Sequence, residues 1–133
     1  MAVLVLAEHT NSALGSATAK AVTAASQLSS DVHVLVAGSA SEGLEFLAVN
    51  RVGVILTDQN MPQISGIEFL NRVRQLYPDP VRIVLSAYSD LKLVNEAFRR
   101  GAIYKYINKP WDEQDLLHTV QEAFRQYELQ RAR

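Results

Sequence analysis

The sequence predicts a doubly wound α/β domain in three layers, with five parallel strands in the order 2-1-3-4-5 and helices on both faces. Three observations carry this. Short apolar runs alternate with segments of helical periodicity along the whole chain. Most of those runs are continuously apolar, as strands are when helices cover both sides of a sheet. Five strands joined by right-handed helical crossovers take this order as their commonest arrangement. A length of 133 residues suits one domain with its own hydrophobic core, so 1–133 is expected to be a single unit.

The elements follow in order. The first strand is expected over 3–7, where Val3-Leu4-Val5-Leu6-Ala7 is uniformly apolar, and the first helix over 16–28, an Ala-rich stretch suited to close packing on a sheet. A second strand over 32–36 leads into a helix over 41–49. The third strand, over 54–57, lies within Val52-Gly53-Val54-Ile55-Leu56-Thr57 and precedes a helix over 66–77. The fourth strand is expected over 82–86, its helix over 91–100, and the fifth strand over 104–107. The last helix, over 112–130, is well signalled: Asp112 stands at the N-cap and Asp115 three residues on. Its stripe of Leu117, Val120, Phe124 and Tyr127 reads as core packing. Arg99-Arg100 complements the dipole at a helix end.

Composition excludes several classes. Apolar content of 48% and charged content of 20% are those of an ordinary globular protein. A net charge of −1 gives no general attraction to nucleic acid or to anionic membrane, and neither is expected as a partner. The absence of cysteine excludes a disulfide framework and thiolate metal sites and fits a reducing cytoplasm. The apolar start lacks a basic segment and stops at Glu8-His9, so it is no export signal. No stretch approaches the roughly 20 apolar residues that span a bilayer. His9, His33 and His118 are too scattered to form a metal site.

The chemistry concentrates at strand ends, where open α/β sheets bind ligands. Asp58 closes the third apolar run and is followed by Gln59-Asn60-Met61-Pro62; Leu85-Ser86-Ala87 and Asn108-Lys109-Pro110 close the next two. An acid, a hydroxyl and an ammonium thus end neighbouring strands. Singly each is ordinary, since strand-end Asp and Ser residues are mostly turn or cap residues and a loop lysine is mostly solvated. Their weight comes from sharing one register.

From about residue 41 to 129 the chain resembles the receiver domains of two-component response regulators, a flavodoxin-like family. The matching text is Ile55-Leu56-Thr57-Asp58-Gln59-Asn60-Met61-Pro62, Ser65-Gly66-Ile67-Glu68-Phe69-Leu70, Val81-Arg82-Ile83-Val84-Leu85-Ser86-Ala87-Tyr88 and Gly101-Ala102-Ile103-Tyr104-Lys105-Tyr106-Ile107-Asn108-Lys109-Pro110-Trp111. The resemblance implies a phosphoacceptor domain and not a conventional enzyme. Asp58 would take the phosphoryl group from a histidine kinase or a small phosphodonor, with Lys109 and Ser86 contacting its oxygens. Tyr106 would be the switch aromatic, and Asn60 and Tyr88 would tune dephosphorylation. Mg²⁺ would be held by Asp58, the Asn60 carbonyl and an acidic pair after the first strand. A protein partner would read the helices at 91–100 and 112–130.

The chain departs from this pattern at its start. Where the family has two consecutive acids, it has Ala7-Glu8 or Glu8-His9, so Glu8 alone would help hold the metal. Mg²⁺ prefers oxygen in near-octahedral geometry, and its affinity is therefore expected to be low and phosphorylation slow. Residues 1–40 also contain three Asp, Glu, Lys or Arg residues against twenty-four in 41–133. The segments 1–9, 20–25 and 31–38 resemble the amino-terminal strand-helix-strand of the electron transfer flavoprotein alpha subunit. Together these suggest an engineered or recombinant chimera joined near 37–42, and leave open a scaffold without biological activity. No flavin is expected, and a nucleotide site is disfavoured because Leu14-Gly15-Ser16 makes no Gly-x-Gly-x-x-Gly fingerprint.

Overall fold

The computed structural model describes residues 2–6, 33–59, 61, 64–108 and 112–131. The helix expected over 16–28 lies outside the described residues. In chain order the elements are β1 (Ala2–Leu6), β2 (His33–Ala37), α1 (Ala40–Val49), β3 (Val52–Asp58), α2 (Gly66–Leu76), β4 (Val81–Ser86), a 3-10 turn (Tyr88–Asp90), α3 (Leu91–Arg99), β5 (Lys105–Asn108) and α4 (Glu113–Arg131). Among the described residues the strands form one sheet in the order β2-β1-β3-β4-β5. Every pairing in it is parallel.

Element bounds shift from the sequence reading at a few places. β3 starts at Val52 because that residue pairs with Ala2, ahead of a register shift between Ala2 and Val3. Its far end includes Asp58, which pairs with Leu85. Tyr104 falls just before β5, yet its N–H still donates to the Arg82 carbonyl at 2.7 Å. α2 stops at Leu76, with Tyr77 as its C-cap ahead of Pro78.

The helix starts follow local chemistry. Ser39 Oγ accepts from the Glu42 N–H at 3.2 Å, and Ser65 Oγ accepts from the Glu68 N–H at 3.2 Å. Asp112 caps α4 as expected, its Oδ1 accepting from the Gln114 N–H at 2.8 Å. α3 ends in a Schellman motif around Gly101, whose φ is 76°. There Ala102 N–H donates to Ala97 at 3.0 Å and Gly101 N–H to Phe98 at 3.1 Å.

Alternation along the strands sends side chains to two apolar clusters. Val3, Val5, Val54, Leu56, Ile83 and Leu85 pack beneath α4, whereas Leu4, Ile55 and Val84 face α1, α2 and α3 through Leu47, Phe69, Leu70, Val73 and Val94. The buried stripe of α4 sits slightly round from the one read in the sequence. Val120, Phe124 and Tyr127 are buried, but Leu116 and Ala123 complete the stripe, and Leu117 is half-buried at its margin. Among the described residues no helix is long and apolar enough to cross a membrane.

Candidate functional site

β3, β4 and β5 lie side by side, so their carboxyl ends open on one edge of the sheet. Asp58 ends β3 opposite Leu85, while Ser86 and Asn108 end β4 and β5 opposite each other. The sheet ladder therefore brings the predicted acid and hydroxyl to adjacent strand ends, one residue apart in register. Both are withdrawn from water: Asp58 is 5% exposed and Ser86 0%. A charge placed there meets weak dielectric screening and depends on nearby donors and cations.

The turn after Asp58 is built by Gln59, which is 6% exposed. Its N–H donates to the Leu85 carbonyl at 3.0 Å, and its own carbonyl accepts from the Gly66 N–H at 3.0 Å. Its side-chain Oε1 accepts from the Ile67 N–H at 2.9 Å. One residue thus ties the end of β3 to β4 and to the first turn of α2. Gly66 makes the approach possible: a Cβ there would lie 2.6 Å from the Asp58 carbonyl oxygen and 3.1 Å from the Gln59 Cα. The Asp58 backbone is clamped from the β4 side and from the α2 side.

Two of the hydroxyls named from the sequence, those of Ser86 and Tyr106, each meet an asparagine. Ser86 Oγ donates to Asn108 Oδ1 at 3.3 Å. Tyr106 is half-buried, its Oη donating to Asn95 Oδ1 on α3 at 2.7 Å. Its ring meets Phe98 edge-on, with centroids 6.0 Å apart and planes at 87°. Tyr88 opens the 3-10 turn two residues beyond Ser86.

Lys109, Asn60, Glu8 and Ala7 lie outside the described residues. Among the described residues no group of three or more His, Cys, Asp or Glu gathers as a metal site. The described donor that suits a hard cation is the Asp58 carboxylate.

Four residues that shape the site carried no assigned role in the sequence reading: Gln59, Gly66, Asn95 and Asn108. Gln59 and Asn108 gave a faint signal, as polar residues next to apolar strands. Asn95 gave none, because its partner Tyr106 comes from another element.

The response regulator receiver domain model matches residues 16–121. That match begins inside the first forty residues and runs through the seam near 37–42. The hydrogenase transcriptional regulatory protein HoxA of Bradyrhizobium diazoefficiens is 43% identical over 104 residues, covering 78% of this chain and 21% of that protein. Its counterpart in Cupriavidus necator is 41% identical over 103 residues, covering 77% of this chain and 21% of that protein. The chain spans about a fifth of the length of these curated relatives. A solved response regulator receiver domain protein from Clostridium thermocellum superposes with a TM-score of 0.79 at 27% identity, covering 96% of this chain and 97% of that one. A family match over most of the chain, on the same parallel α/β scaffold, places it among the response regulator receiver domains, the phosphoacceptor modules of two-component signalling.

Proposed function

We propose that Asp58 is the phosphoacceptor, with Ser86 and Lys109 as its helpers, in a unit spanning residues 1–133. The observation that supports this most is the burial of Asp58 and Ser86 at adjacent strand ends, with Lys109 following directly on Asn108 at the end of β5. A carboxylate oxygen of Asp58 forms the new bond to phosphorus as the bond to the donor breaks, and the electron pair of that bond leaves with the donor. The protein's part is alignment and charge stabilisation. Ser86 Oγ–H donates to one phosphoryl oxygen, and the Lys109 ammonium offsets charge on the others. The donor is a histidine kinase or a small phosphodonor, and the domain catalyses at most its own phosphorylation and dephosphorylation.

Receiver domains typically use Mg²⁺, and the oxygen chemistry of Asp58 fits such an ion. Asp58, the Asn60 carbonyl and Glu8 would hold it, and the cation would neutralise charge around the transferring group. Ala7 offers no oxygen, so this donor set is thin. Ala7→Asp is expected to tighten Mg²⁺ binding several-fold, read by titration of amide NMR shifts; unchanged affinity would remove the missing acid as the cause of weak binding.

Tyr106 is the switch residue in this reading, Asn60 and Tyr88 tune dephosphorylation, and a cytoplasmic protein partner reads α3 and α4. A second reading takes residues 1–40 as a flavoprotein-derived segment in an inactive chimeric scaffold. The charge-poor composition of 1–40 favours it, and the family match from residue 16 counts against it.

One experiment separates the two. Amide NMR spectra are recorded with Mg²⁺, before and after beryllofluoride, on wild type and Asp58→Asn. Shifts at Asp58, Ser86 and Tyr106 in wild type alone are expected. A dispersed spectrum indifferent to both additions would favour the scaffold.

A further inference from the structure

We propose that Asn108 is a positioning residue of this site: its side-chain oxygen holds the Ser86 hydroxyl proton in the resting protein and competes for it with the incoming phosphoryl oxygen. The inference rests on the roles proposed for Asp58 and Ser86.

Proton counting makes the competition necessary. A serine hydroxyl carries one proton and can donate it to one acceptor at a time. Ser86 is fully buried at rest, so its hydroxyl needs a hydrogen-bond partner inside the protein while the site is unoccupied. At rest that partner is Asn108 Oδ1, at 3.3 Å. The contact is built into the sheet, because Ser86 and Asn108 are register partners at the ends of β4 and β5.

The two partners differ in what release costs them. Asn108 is exposed, so its carboxamide turns to water once Ser86 lets go. The bond is longer than the roughly 2.5–3.0 Å usual between two oxygens, so it is weak and readily exchanged for a charge-assisted one. Asn108 thereby favours the resting state by the strength of one neutral hydrogen bond, and lowers the apparent affinity for the phosphoryl group accordingly. An apolar side chain here would leave the Ser86 proton unsatisfied at rest and available to the phosphoryl group.

The test combines NMR of the resting protein with titration of Mg²⁺-saturated protein by beryllofluoride. Asn108→Val is compared with Ser86→Ala and with the double variant. Asn108→Val is expected to bind the analogue about 3- to 10-fold more tightly, the equivalent of one net hydrogen bond. In the Ser86→Ala background the same change is expected to have no effect. Asn108→Thr, which keeps an acceptor oxygen on a strand-favouring side chain, is expected to restore affinity towards wild type. In the resting protein the Asn108 side-chain NH₂ signals are expected to shift on Ser86→Ala.

Weaker binding by Asn108→Val would show the amide donating to the anion and would overturn the competition. An equal gain with and without Ser86 would overturn it too. Asn108 signals that ignore Ser86→Ala would overturn the resting contact itself. Absence of analogue binding in wild type, with those signals still responsive, would instead fell the phosphoacceptor reading, and the competition with it.

Discussion

Gly66 is where the site is most sensitive to a single atom. It starts α2 over the backbone of Asp58, and the three atoms a Cβ would meet are the Asp58 carbonyl oxygen at 2.6 Å, the Gln59 Cα at 3.1 Å and Thr57 Cγ2 at 3.1 Å. Two of these are backbone of a buried central strand and its turn, so relief must come from moving α2. Gly66→Ala is expected to lose about 1–3 kcal/mol, as overpacking in a filled interior does. The urea midpoint checks this, with Asn71→Ala on the exposed side of α2 as the control. Gly66→Ala should also loosen the Gln59 contacts to Gly66 and Ile67 and so weaken beryllofluoride binding; an unchanged midpoint and affinity would mean that α2 is not held this close.

Between elements, Arg82 fastens the edge of the sheet remote from Asp58. From the second position of β4 its Nε donates to the Ala102 carbonyl at 2.9 Å. Nη1 reaches Pro78 at 3.2 Å and Pro80 at 3.3 Å, and Nη2 reaches Gly101 at 3.4 Å. Arg74 adds a bond from Nη1 to the Arg100 carbonyl at 3.0 Å. Together they satisfy carbonyls in the turn that carries the chain from α3 to β5, and Arg82 also ties down the segment between α2 and β4. Burial, and secondarily the charge of Arg74, push the Arg82 guanidinium below its ordinary range, though it remains charged at neutral pH. Arg82→Ala is expected to cost about 2 kcal/mol in denaturant unfolding. Arg82→Lys should recover little of it, because a point charge does not reproduce the planar fork. Full recovery by lysine would show that charge, and not the geometry of the fan, is what matters there.

At the scale of the whole molecule, the parallel sheet is covered on both faces, and its ends are what remain for chemistry. A ligand at the Asp58 end that binds only the folded chain stabilises all of it. With Mg²⁺ saturating and beryllofluoride at about 100 times its dissociation constant, the gain should be about 2.7 kcal/mol. For a chain of this size the melting temperature should rise on the order of 10 °C. Asp58→Asn should abolish the rise; an equal rise in that variant would place the ligand elsewhere.

Apart from the 3-10 turn at Tyr88–Asp90, the kinds and order of the described elements were legible in the sequence, because strand runs, helical periodicity and caps are local. Ser65 and Asp112 cap within three residues of themselves, and their caps can be read without any fold. The pattern of acid and hydroxyl at successive strand ends was legible for the same reason, once strands were known to be parallel. The tertiary structure decided what those side chains touch. Ser86 meets Asn108 across 22 positions, Tyr106 meets Asn95 across 11, and Arg82 meets Ala102 across 20. Such pairings depend on strand register and on how each helix docks, and neither is encoded in the neighbours of the residue concerned. The sequence by itself determined that an acid would stand at a strand end. Only the folded sheet decided which amide would hold the serine beside it.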